Sequence, residues 1–152
     1  MTAAILLVHL LSFAAYVGAG FAQQRLMKAS AKSGLTGDVR DAYERLSAGI
    51  ITKIELPAIF GSIASGVAFI AQNPALMKLG WLHGKITCVL LLAVLSHLEM
   101  FNARRIVAAR ARGEAGADEA IAARKARHGL FGTIGAILVV IVLVLVTFVR
   151  LG

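Results

Sequence analysis

The chain has 152 residues, enough for one domain, and 59% of them are hydrophobic while only 16% are charged. That apolar share, with a mean hydropathy of +0.80, lies far above that of a soluble domain and points to the bilayer. The net charge of +8 would suit nucleic acid, but the Lys and Arg residues are gathered almost wholly into two stretches between apolar runs, which is the pattern of membrane topology. The lone Cys88 rules out an internal disulfide and a cysteine metal cluster.

The first apolar run is AAILLVHLLSFAAYVGAGFA. It has no Lys or Arg ahead of it and runs for about 20 residues, so it is expected to be a membrane helix over 3–23 rather than a signal peptide. The stretch 24–48 follows as a loop with five basic residues, Arg25, Lys28, Lys32, Arg40 and Arg45. A second span is expected over 49–72, with Lys53 and Glu55 in its first turns. Asn73-Pro74 marks a tight turn, and the connection 73–79 carries only Lys78.

GWLHGK then opens the third span, 80–102. The stretch 103–128 carries seven basic residues, Arg104, Arg105, Arg110, Arg112, Arg124, Lys125 and Arg127. Its Ala, Arg and Glu content predicts helical extensions of the flanking spans, broken near Gly113–Gly116. The fourth span, 129–149, contains ILVVIVLVLVTFV and is the clearest. The sequence therefore predicts a single all-α domain over 1–152, an integral membrane antiparallel four-helix bundle.

Twelve basic residues in two connections, against Lys78 alone in the 73–79 connection and Arg150 alone at the C-terminal end, set an orientation. The positive-inside rule puts both basic stretches in the cytoplasm and both termini outside it, in a multi-pass protein of the cell (inner) membrane.

Ionisable groups inside spans are costly, so each needs a reason. His9, His83 and Lys85 are expected at a common depth near the outer ends of spans one and three. His9 and His83, on different helices, could face one another and grip a b-type haem through iron, without any cysteine attachment. His97 follows His83 by fourteen residues and shares its face, so a second, inner pair with His128 is conceivable. The bland alternative is that these rings only hydrogen-bond neighbouring helices. Lys85 could snorkel to headgroups or meet a substrate or haem carboxylate. Lys53 and Glu55, two apart, do not face each other, and Glu55 could relay protons. Gly18, Gly20, Gly61, Ser62, Ser65 and Gly66 allow close helix or ligand approach.

The stretch LPAIFGSIASGVAFIAQNPALMKLGWLHGKITCVLLLAVLSH, residues 56–97, resembles the HemJ-type protoporphyrinogen oxidases. It combines the Leu-Pro of span two, a Gly late in that span, the Asn-Pro turn and the Gly-Trp-Leu-His-Gly-Lys entry to span three. Span one fits from His9 through Tyr16 to Arg25-Leu26. The resemblance implies a small haem-b membrane enzyme, homo-oligomeric, that oxidises protoporphyrinogen IX to protoporphyrin IX and passes electrons to an acceptor. It carries His9, Arg25, His83 and Lys85 over as haem-binding or essential positions. The chain departs from the pattern at Tyr16, Gln24 and Ser30, and in the opening of span four, His128-Gly-Leu-Phe-Gly-Thr. Three functions are thus open: a porphyrinogen-oxidising haem enzyme, a b-type electron-transfer subunit of a larger membrane complex, and a cofactor-free structural subunit.

Overall fold

The computed structural model describes residues 2–113 and 117–149. Among them the secondary structure is helical throughout, with no strand. Helix α1 spans Thr2–Ala29, α2 Gly37–Ile50, α3 Leu56–Gln72, α4 Gly80–Arg112 and α5 Ala117–Val144. A π-helical turn, Ile51–Glu55, joins α2 to α3 without a break, and a second, Leu145–Val149, follows α5. A 3-10 turn, Pro74–Lys78, links α3 to α4.

Four helical rods are long and apolar enough to cross a bilayer: 3–29, 37–72, 80–112 and 118–148. Their order around the bundle follows from their contacts. His9 meets Ser62 and Ser65, while Gln23 meets Ser47, so α1 and the α2–α3 rod are antiparallel. Lys85 meets His9 and Glu99 meets Gln23, so α4 runs parallel to α1. Asn102 Nδ2 donates to the Arg124 carbonyl at 2.8 Å and Gly84 lies against Leu145, so α5 is antiparallel to α4. The closest pairings are α1 with α3 and α4 with α5; α1 and α5 touch less.

The basic stretch 24–48 is mostly helix, not loop. Only 30–36 separates α1 from α2, and α2 carries Arg40 and Arg45 on a helix whose Glu44 and Ser47 turn inward. Likewise α4 runs ten residues past the expected end of span three, as its Ala-Arg composition favours. It stops at Gly113, whose φ of 61° is the left-handed conformation that glycine adopts without strain. The rest of the expected break, Glu114–Gly116, lies outside the described residues, as does Arg150.

The π turn has a cause in the sequence. Pro57 lacks an N–H and its ring would strike the carbonyl four residues back. The backbone widens ahead of it, and the Leu56 N–H donates to the Ile51 carbonyl, five residues earlier. This turn leaves Lys53 exposed and Glu55 buried.

The interior mixes apolar side chains such as Ile51, Leu92 and Ile106 with buried polar ones such as Gln23, Glu55 and His128, and the outside is apolar. Leu7, Leu11 and Phe21 of α1, Leu90 and Val94 of α4, and Ile137 and Val140 of α5 are exposed. Lipid is as apolar as these side chains, so their burial cannot drive the helices together. Close packing and interhelical hydrogen bonds must do so. At Gly61 a Cβ would lie 2.6 Å from Ser12 Oγ, so the missing side chain sets the approach of α1 to α3. His9, Tyr16 and Gln23, each seven residues apart, form one inward stripe along α1 that Ser30 continues just past its end.

Candidate functional site

Two polar centres lie along that stripe. The first is at the N-terminal end of α1. His9 Nδ1 is 3.0 Å from the Ser62 carbonyl oxygen and 2.9 Å from Ser65 Oγ. A carbonyl only accepts, so Nδ1 carries the proton and donates. Ser65 Oγ itself donates to the Gly61 carbonyl at 2.7 Å, which leaves its oxygen to accept from His9. The opposite ring nitrogen, Nε2, therefore presents a lone pair, and Lys85 Nζ stands 3.5 Å from it. Phe69 packs edge-on against the ring with centroids 6.1 Å apart, and Gly66 leaves the Cε1 side open.

The second centre is where α1, the π turn, α4 and α5 meet. Gln23, Glu55, Ser96, Glu99 and His128 are all buried there, His128 at 0% exposure. Tyr16 OH donates to Ser96 Oγ at 3.3 Å, and Ser96 Oγ donates to Glu55 Oε1 at 2.7 Å. Gln23 and Gln24 donate to the two oxygens of Glu99 at 3.1 and 2.6 Å. His128 Nε2 donates to Gln23 Oε1 at 2.6 Å. Gln24 also donates to the His128 carbonyl and fills the space that any Cβ at Gly132 would need. A cavity of about 1370 Å³ opens beside this cluster between α1 and α5.

A third buried carboxylate, Glu44, is of another kind. Arg110 Nη2 and Lys125 Nζ approach its Oε1 to 3.0 and 2.6 Å, which ties α2 to α4 and α5. Glu55 and Glu99 have no such cation among the described residues; their partners are hydroxyls and amides.

A search of family models, curated proteins and solved structures finds no match to this chain.

The expected site residues are separated by this geometry. Lys85 is at His9, as a common depth required. His83 is two residues earlier on α4, about 200° around the helix, and faces outward. It is exposed, and its Nε2 donates to the Met77 carbonyl at 2.8 Å, on the 3-10 turn. Arg25 is exposed and covers the Phe21 ring at 5.2 Å. It lies sixteen residues beyond His9, about 24 Å along α1, so it is not part of the first centre. His97 Nδ1 donates to the Ala93 carbonyl at 2.8 Å and its ring meets Phe60 edge-on. His128, engaged with Gln23 on α1, is part of the second centre.

Sequence reasoning gave no role to Gln23, Gln24, Ser96 or Glu99. The signal was present as spacing: Gln23 continues the seven-residue series from His9, and Ser96 and Glu99 lie eleven and fourteen residues after Lys85, on one helix face.

Proposed function

We propose that the chain is a haem-b oxidoreductase of the cell (inner) membrane, of the protoporphyrinogen-oxidising type. Its basic end would face the cytoplasm, with both termini on the other side. The observation that carries this reading is the state of His9. A histidine that ligates a metal donates its other ring N–H to a carbonyl or carboxylate, which fixes the tautomer and aims the free nitrogen. His9 does this through Nδ1 and the Ser62 carbonyl.

The residues present fit the holding of a haem through one histidine. His9 Nε2 would hold the iron, and Ser62 and Ser65 would hold the ring in place. Lys85, beside that nitrogen, would meet a carboxylate of the haem or of the porphyrinogen as a charge-assisted partner. Phe69 supplies an apolar flank, and Gly66 keeps the approach open. Haem would supply the electron-transfer chemistry, with the electrons leaving to a separate acceptor. A homo-oligomer or a larger membrane complex is consistent with this reading.

The test is the visible spectrum of the detergent-purified protein, oxidised and then dithionite-reduced, with haem counted per chain. A b-type spectrum that His9→Ala abolishes, with the variant still inserted, is the expected result. A protein that stays colourless after haem addition removes the redox reading and leaves a structural subunit. Haem without conversion of porphyrinogen to fluorescent porphyrin makes the chain an electron-transfer subunit instead.

A further inference from the structure

We infer that the cavity between α1 and α5 is a second ligand site, for an apolar acid that carries a hydrogen-bond donor about 12 Å from its carboxylate. The inference stands apart from the haem reading and survives its failure. The cavity lies at the other end of the bundle from His9, and nothing in it depends on iron.

The floor of the cavity asks for a donor. Glu55 is 2% exposed and its Oε2 has no hydrogen-bond partner. His128 is 0% exposed and its Nδ1 has none either, because Nε2 carries the proton given to Gln23. Both residues line the cavity. A bare buried acceptor such as Glu55 Oε2 costs free energy unless an N–H or O–H reaches it. Gly20 is placed to admit one, since a Cβ there would stand 3.9 Å from Glu55 Oε2 with no other heavy atom within 4 Å.

The rim asks for an anion. Arg25, Lys28, Lys32 and Arg40 line the cavity's basic end, where the carboxylate Asp118 is paired with Arg110. Gly20 and Lys28 are eight residues apart on α1, about 12 Å. Between floor and rim the walls are apolar, with Val17, Phe21, Phe131 and Val140 among them. The volume of about 1370 Å³ exceeds that of a drug-sized pocket, roughly 300–1,000 Å³, so room is not limiting. A phospholipid tail would fill the walls but bring no donor to Glu55 or His128. A small inorganic anion would satisfy the rim and leave the floor bare. Only a molecule with both ends answers both.

The probe is dansyl-aminoundecanoic acid, whose sulfonamide N–H and carboxylate sit at opposite ends of an apolar chain. Its fluorescence is titrated with the full-length protein in nanodiscs, against empty nanodiscs. The expected result is saturable binding of one probe per chain. Glu55→Leu should weaken it about fivefold or more. Arg25→Glu with Lys28→Glu should weaken it about tenfold or more, and the methyl ester of the probe should lose as much on the wild-type protein. The ester and the rim variant need no change to the core, so they decide the matter even where Glu55→Leu fails to fold. Partitioning no greater than into empty discs overturns the site, as does equal affinity for acid and ester. Cross-links between α1 and α5 of two copies that the probe cannot displace also overturn it, since a second copy then fills the cavity.

Discussion

Lys85 Nζ and His9 Nε2 are 3.5 Å apart across α4 and α1, although 76 residues separate them in the chain. The lysine thus stands over the one nitrogen of His9 that its neighbours leave open. Any group that binds that nitrogen must share space with an ammonium.

Histidines 9 and 83 should therefore respond differently to mutation. His9→Ala is expected to lose haem, whereas His83→Ala should retain it, because His83 faces outward on the Met77 carbonyl. Ser65→Ala should weaken haem binding by roughly tenfold, the lower end for a partner that orients a ligand. Haem per purified chain checks all three. Equal loss in His83→Ala would show that His83 turns inward to bind.

Lys85→Ala separates substrate from cofactor. A charge-assisted hydrogen bond is worth about 2 kcal/mol, so its loss should lower kcat/KM for porphyrinogen ~30-fold. If Lys85 meets the substrate, haem content stays near wild type. A parallel fall in haem makes Lys85 part of the haem site.

Glu44 is a matter of stability. It is fully buried between Arg110 and Lys125, and removing one partner of such a group leaves uncompensated charge. Glu44→Ala should destabilise the fold by roughly 3 kcal/mol. The midpoint of unfolding in mixed detergent reads this directly. Asp41→Ala, which breaks only an exposed pair with Arg45, should change it by less than about 0.5 kcal/mol.

Gly61→Ala places a Cβ against Ser12 Oγ. A cost of roughly 1–3 kcal/mol is expected as α1 and α3 are pushed apart. Ser12→Ala in the same chain should recover part of it, and the four-variant cycle measures the coupling. Additive effects would show that the two helices do not press together at this point.

The spans and the outline of the bundle were legible in the sequence because apolar runs of about 20 residues admit few alternatives. That Lys85 lies at the level of His9 followed from depth alone; that it meets the His9 ring did not. The azimuth of His83 did not. Depth places a residue along the membrane normal, but rotation about the helix axis depends on which face packs inward. In α4 that face carries Lys85, Leu92, Ser96 and Glu99. The helical nature of 37–48 was hidden for a related reason. Its charged residues read as a loop until Glu44 and Ser47 are seen to share an inward face, with Arg45 left to the outer side.

The rods are longer than a bilayer is thick, and all of the excess is at one end. The continuous 37–72 rod of 36 residues is about 54 Å long and α4, with 33, about 50 Å, against a hydrocarbon thickness of roughly 30 Å. At the His9 end the tight Pro74–Lys78 turn closes the bundle with nothing to spare. At the basic end, α2 and the last turns of α4 continue as charged helix. The charged helical overhang thus lies on one side of the bundle, where turns can be wetted or covered as the bilayer thickens or thins by a few ångströms.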